Sequence, residues 1–378
     1  MQHYDYIFTG SGLAAMMTVY EMVSSGKFEN QSILLLDDNP KKTNDRTWCF
    51  WDEGKSFDSI VSKDWHTAVF ADSYSRRVMQ LMPHRYKMIK GLDFYNLVLE
   101  TILKEKNIDF IQQQVIAFEQ LENNCVVKTQ TQHYTCNKIF NSIFNSEIAK
   151  SQTQFPLLQQ HFIGWFIKSK TSAFNPEQPT FMDFSIEQKG NTRFMYVLPF
   201  SETEALVEYT LFSKELLDTS EYETAIQDYL HKLGIIEYDI VERECGNIPM
   251  TVYPFWKHNS QNIIHIGSAG GWTKASTGYT FKNSIKKSRA LVEFMLTQSD
   301  FRKFHKKDKF WYYDLLFLDV LSRNNALGST IFSGLFQKGN PQLIFKFLDE
   351  ETTFTQDLQI IGRCPKRLFM QAVLKRIF

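Results

Sequence analysis

The chain opens on an apolar run from Tyr4 to Thr9; after a glycine turn, the apolar positions from Leu13 to Ser25 fall at helical spacing. A second apolar run, Ser32 to Asp37 (SILLLD), follows. The pattern predicts a buried strand, a helix and a second strand packed parallel to the first. Between Asn39 and Gly54 periodicity disappears and turn formers dominate, which predicts a long functional loop. The segment around His84 and Arg85 reads as a solvated loop. Leu92 to Leu103 is spaced as a helix, and Ile108 to Thr135 holds strand-like stretches of a small meander.

From His161 to Thr210 the pattern turns to β. HFIGWFIKS, PTFMDFSIEQ, TRFMYVLPFS and EALVEYTLF are separated by Gly, Asn, Pro and Ser, and predict four adjacent strands of an antiparallel sheet. A helix over Glu221 to Leu233, a buried strand over Ile263 to Gly267 and a helix over Ser284 to Thr297 follow. The remainder is mainly helical and rich in aromatics. A strand that returns after the sheet makes the first domain discontinuous. The expected division is 1–70, 95–155 and 256–300 for a nucleotide domain, 71–94 and 156–255 for a substrate domain, and 301–378 for a helical C-terminal layer.

Two motifs give the first domain its chemistry. Gly10-Ser11-Gly12-Leu13-Ala14-Ala15 is a GxGxxA placed between strand and helix, and Asp37 closes the next strand. Gly10 permits the sharp turn and Gly12 lets a pyrophosphate approach the backbone. The helix amides and dipole favour its charge, and Asp37 can take the ribose hydroxyls, with Asp38 as the alternative. Far downstream, the strand ending in Gly267 opens into Ser268-Ala269-Gly270-Gly271, followed by Thr277-Gly278-Tyr279 before a helix. An early fingerprint paired with a late small-residue motif points to FAD rather than NAD, the late amides facing the flavin. The expected class is α/β, a Rossmann-type FAD domain with an inserted antiparallel sheet.

Four segments in order, DYIFTGSGLAA, RTWCFWDEG, FMDFSIEQKGNTRFMYVLPFSETEALVEYTLFS and GSAGGWTKASTGYTF, resemble the FAD-dependent lycopene cyclases of carotenoid synthesis. That resemblance implies the flavoprotein fold of the hydroxybenzoate-hydroxylase class and an isomerase (intramolecular lyase) activity. The reaction it implies is redox-neutral, acid-catalysed closure of lycopene ends to β-rings (γ- and β-carotene), using reduced FAD with NAD(P)H as reductant. The family's catalytic glutamate, first acid of its FLEET or LIEDT segment, falls on Glu208 in LVEYT. The second acid of that segment is Tyr209 here, and neighbours on a strand point to opposite faces. Trp48, Phe50 and Trp51 are candidate walls of an apolar substrate cavity, and Asp183 a candidate for orienting polar elements around it. The late motif departs from the GDAAH of flavin hydroxylases by carrying Ser268. That departure weighs against the alternatives of the same fold, a hydroxylase, halogenase or isoprenoid reductase. The intact fingerprint and acid weigh against a non-enzymatic isoprenoid carrier.

Composition narrows the partners. Forty-two basic residues balance 42 acidic ones, which argues against nucleic acid. The five scattered cysteines form no close pair with metal-ligand spacing and fit a reducing cytoplasm, so no metal is expected. The 33 phenylalanines suit a ring-lined tunnel, but an A/T-rich genome explains them more simply. No stretch approaches the roughly 20 apolar residues of a membrane-spanning helix, and the N-terminus lacks export-signal features. A hydrocarbon substrate implies docking on a membrane surface, and Phe301 to Val320 and the C-terminal KRLFMQAVLKRIF have the mixed basic and aromatic or apolar composition for it.

Overall fold

The structure is a computed structural model that describes residues 1–122 and 124–377. In chain order it begins with β1 (Gln2–Thr9), α1 (Leu13–Ser25), β2 (Ile33–Asp37), β3 (Thr47–Asp52), β4 (Val61–Trp65), β5 (Thr67–Ala71), β6 (Arg76–Gln80) and β7 (Arg85–Lys90). There follow α2 (Gly91–Ile102), β8 (Ile108–Gln112), β9 (Val115–Gln120), β10 (Cys125–Thr129), β11 (His133–Asn141), α3 (Ser146–Lys150), β12 (Leu158–Ser169) and β13 (Thr180–Asp183). After β14 (Thr192–Pro199), β15 (Glu204–Ser213), α4 (Thr219–Lys232), β16 (Tyr238–Met250), β17 (Ile263–His265) and α5 (Phe281–Thr297), the chain is helical. Its last elements are α6 (Lys309–Arg323), α7 (Gly328–Phe336), α8 (Pro341–Leu348), α9 (Phe354–Ile361) and α10 (Lys366–Ile377).

The first sheet runs β8-β2-β1-β11-β10-β9, with β17 beside β11. β1 lies parallel to both β2 and β11, and β17 is parallel to β11, so the expected β-α-β opening and the late return of the chain are both present. Ile33 to Leu36 are all buried, because helices α1, α2 and α5 cover one face and the β9-β10 hairpin folds apolar residues onto the other. The meander is only partly as expected, since β8 joins the far edge in parallel while β9, β10 and β11 pair antiparallel.

The second sheet has seven strands in the order β16-β12-β15-β14-β13-β5-β6. The four anticipated strands are there, adjacent and antiparallel, with β13, β14 and β15 in chain order and β12 crossing over to pair β15; the short β13 also runs parallel to β5. β16, β5 and β6 complete the sheet beyond the four strands the pattern suggested. One face of this sheet packs against α4 and the other against α6, α7, α8 and α9.

A third, three-stranded sheet, β3-β7-β4, corrects two loop expectations. Thr47 to Asp52 lies within the predicted loop, yet pairs antiparallel with Lys90 to Arg85 through an unbroken register. Pairing, not local periodicity, makes this strand: Trp48, Phe50 and Trp51 are all buried, because both of its faces pack on protein. His84 is likewise buried rather than solvated.

Candidate active site

The first half of the site is a cradle at the end of β1. Gly10 has φ +86°, and a Cβ there would lie 2.5 Å from Ser142 Oγ, so only glycine makes the turn without displacing the end of β11. Gly12 caps α1 with extended backbone, and a Cβ there would meet nothing within 4 Å. The space before the helix amides is therefore open. The Ser11 N–H and hydroxyl donate to Asp37 Oδ2 at 2.6 and 2.8 Å, the Asn39 N–H donates to Oδ1 at 2.8 Å, and Lys41 lies 3.3 Å away. Burial opposes ionisation of Asp37, but the two amides, Lys41 and the hydroxyl together hold its carboxyl below the usual range. Leu13, Ala14 and Ala15 are buried as the first turn of α1.

The late motif packs directly on the early one. Gly267, at φ +59°, approaches so closely that its Cβ would stand 3.0 Å from that of Ala14. Gly267 to Gly270 form a single tight turn after β17, with Ala269 buried and Gly270 pressed against the His265 carbonyl. Ser268, Thr277, Gly278 and Tyr279 face a large cavity. The buried Thr277 Oγ1 and Gln160 Oε1, both on its wall, have no hydrogen-bond partner among the described residues. Open amides, an ionised acid at the end of β2 and unpartnered polar atoms beside the late glycines suit a dinucleotide whose polar ring reaches this loop.

From that loop the cavity, of about 1130 Å³, extends between the second sheet and the C-terminal helices. Trp48, Trp51, Phe181, Leu206, Phe332 and Phe345 are among its walls, and it ends against α9 and α10. Phenols supply a polar spot midway: Tyr86 Oη lies 2.7 Å from Tyr196 Oη and 3.3 Å from Tyr279 Oη. Cys49 sits against the Tyr196 and Tyr86 hydroxyls, and burial pushes its thiol up to about 12.

Glu208 enters this cavity from β15 and is only 7% exposed. It is not alone. Gly164 of β12 is the register partner of Glu208 on one side and of Glu244, on the edge strand β16, on the other. Glu244 also lines the cavity. The Thr210 hydroxyl donates to Glu208 Oε1, and the Thr47 hydroxyl donates to Glu244 Oε2 at 3.0 Å. Burial first, and the facing Glu244, raise the Glu208 carboxyl well above the usual range; Glu244 is raised as well, mainly by burial. Tyr209 points the other way, its hydroxyl accepting from Arg193 Nη1 at 2.8 Å beneath α4, as strand alternation requires.

Among the anticipated wall residues, Trp48 and Trp51 line the cavity and Phe50 does not. Phe50 stacks on Phe281 at 4.6 Å, within the core of the first sheet. Asp183 is also off the wall: its carboxylate accepts from Tyr229 of α4 at 2.9 Å, on the opposite face of the sheet. Glu244 was missed. Its signal was the alternation of YDIVERECGNIPM, which is a strand whose acids Glu242 and Glu244 fall on one face.

The fold is that of the flavoprotein class. A flavoprotein/dehydrogenase from Cytophaga hutchinsonii superposes with a TM-score of 0.66 at 11% identity, over 99% of this chain and all of that one. A halogenase PltM variant solved in complex with FAD superposes with a TM-score of 0.58 at 12% identity, over 98% of this chain and 85% of that one. Within that class the chain belongs to the lycopene cyclase protein family, whose model matches residues 5–375. A lycopene beta-cyclase from Paracoccus sp. (strain N81106 / MBIC 01143) is 31% identical over 126 residues, which is 32% of this chain and 32% of that protein.

Proposed function

We propose that this protein is a lycopene β-cyclase, an isomerase that closes the ends of lycopene to β-rings without net oxidation. The observation that carries this reading is Glu208, a carboxyl buried in a long aromatic-walled cavity that starts at the flavin loop. A carboxyl kept neutral by burial can protonate an alkene near neutral pH. Glu208 delivers its proton to the terminal trisubstituted double bond, the chain folds so that a ring C–C bond forms, and a neighbouring carbon gives up a proton. Trp51, Phe181 and Phe345 exclude water from the cation, and the Tyr86, Tyr196 and Tyr279 rings offer it π-faces.

FAD fits the cradle: Gly10, Ser11, Gly12 and the first turn of α1 would hold the pyrophosphate and Asp37 the ribose. Gly267 to Gly270 with Thr277 to Tyr279 would line the ring. Bound in its reduced, anionic form, with NAD(P)H as reductant, FAD would supply negative charge beside the carbocation. In this reading the FAD unit draws on 1–70, 95–155 and 256–300, the substrate unit on 71–94 and 156–255, and the helices of 301–378 close the cavity.

Lycopene must arrive from a bilayer, and the cavity points to where. Leu358, Met370, Val373 and Leu374 of α9 and α10 both line the cavity and are exposed, with exposed Arg363, Lys366, Arg367 and Lys375 around them. Phe301 and Phe310 of the other anticipated segment are buried, and Trp311 donates to the Val252 carbonyl. The C-terminal helices are therefore the proposed face for an anionic membrane surface. No helix among the described residues is long and apolar enough to cross a membrane.

Expression in a lycopene-accumulating cell tests the function. Red lycopene is expected to give way to cyclised yellow or orange product on chromatography. Unchanged lycopene in the presence of folded, flavin-loaded protein would refute the cyclase reading, and NAD(P)H-coupled oxygen uptake would turn it toward a hydroxylase.

A further inference from the structure

The cavity holds a second carboxyl that the single-acid reading leaves without a role. Glu208 and Glu244 sit on the two strands that flank β12, and both are in register with Gly164. Strands one removed from each other are roughly 10 Å apart, too far for neighbouring residues to touch over an ordinary side chain. Here the intervening position has none. A Cβ on Gly164 would stand 3.2 Å from Glu244 Cγ, 3.4 Å from Glu208 Cβ and 2.9 Å from Leu206 Cδ1. The space over Gly164 is taken by Leu206 and by the two acidic side chains, which face each other across it.

Among the described residues no cation compensates them. Glu208 is faced by Glu244, by Tyr279 of the flavin loop and by Cys49 of β3, with Tyr86 and Tyr196 behind Cys49. Glu244 is faced by Glu208, by Glu242 of its own strand and by the Thr47 hydroxyl. Arg46, on the same wall, donates to Asp45. Two buried carboxylates that face each other cannot both ionise without a large repulsion, so sharing one proton is the stable arrangement. The two members differ in exposure. Glu208 is buried on an inner strand, whereas Glu244 is half-buried on the edge strand and joined through Thr47 to the segment before β3.

We propose that Glu208 and Glu244 form a one-proton carboxyl pair, with Gly164 as the gap that lets them meet and Glu244 as the positioning partner that keeps Glu208 loaded. The inference rests on the cyclase reading for its purpose, though not for its geometry. The proton balance is closed. One proton leaves the Glu208 O–H to form a C–H bond at the terminal double bond, and the pair is then doubly ionised beside the cation. One proton lost from a ring carbon restores the pair, so no oxidant or reductant is consumed.

Infrared difference titration of the FAD-loaded protein tests the pair directly, because the protonated carboxyl C=O band is read whether or not the protein cyclises anything. In wild type a buried carboxyl band is expected to persist at neutral pH and to be lost in two steps. Glu244→Gln should collapse this to one step at lower pH, since the neighbouring charge that opposes ionisation of Glu208 is gone. The alkaline limb of the cyclisation rate should move down by about one pH unit with it, a shift that a merely structural role for Glu244 would not cause. Glu244→Asp, which withdraws the carboxyl by one methylene, should retain two steps with a smaller splitting, and covers the case of a poorly folded amide variant. A Glu208 titration unchanged by either substitution overturns the pair. If wild type shows the two steps but cyclises no lycopene, the pair stands and the cyclase reading falls.

Discussion

The nucleotide cradle and the acid pair are both built around glycines at strands, yet they depend on sequence in opposite ways. Gly10, Gly12 and Asp37 lie within one β-α-β unit, so local geometry alone brings them together: β1 ends, α1 begins, and the neighbouring parallel strand delivers the acid. Gly164, Glu208 and Glu244 come from three strands, and only the register of the second sheet aligns them. The cradle therefore tolerates change elsewhere in the fold, whereas the acid pair fails with any slip of β12, β15 or β16, because a one-residue shift sends a side chain to the other face.

Substitutions at the two kinds of glycine should separate these dependencies. Gly10→Val has the largest expected effect: a branched side chain at φ +86° cannot make the turn, its Cβ would strike Ser142, and purified protein should show no bound flavin in its absorbance spectrum. Retained flavin at wild-type stoichiometry would break the assignment of the cradle. Gly164→Ala should leave flavin content unchanged and lower cyclisation about tenfold, because its methyl group enters the space over which the two carboxyls meet. An active Gly164→Ala enzyme with an unmoved pH profile would show that the acids work independently.

A smaller effect concerns stability. Burial and the facing Glu244 raise the Glu208 carboxyl well above its unfolded value, so the folded protein holds that proton more tightly than the unfolded chain. The resulting contribution is complete below the unfolded value and is lost as pH climbs through the raised one. Glu208→Gln removes that loss. Relative to wild type, the variant should gain stability on the order of 1–3 kcal/mol between neutral and alkaline pH, read as a shift in the thermal unfolding midpoint. Parallel pH dependence of the two proteins would contradict a buried, neutral Glu208.

The same contrast explains what the sequence disclosed. The β-α-β opening, the late glycine turn and the LVEYT strand were legible because their patterns are local. The strand Thr47 to Asp52 was not, since its Trp and Phe residues are buried on both faces and leave no alternation to read. Glu244 was not singled out because its strand was not anticipated, and only the register of the folded sheet places it beside Gly164. Phe50 was a candidate as an aromatic of the early loop and Asp183 as an acid of the FMDF strand, and their packing against Phe281 and Tyr229 decides otherwise.

In the proposed function one buried carboxyl performs the chemistry while a separate cradle holds the cofactor, and a single preparation of Glu208→Gln tests this division. Flavin absorbance and cyclised product from lycopene are measured on the same protein beside wild type. Full flavin occupancy is expected, with ring formation reduced at least about a thousandfold. Ring formation within a few-fold of wild type, at equal flavin content, would contradict it.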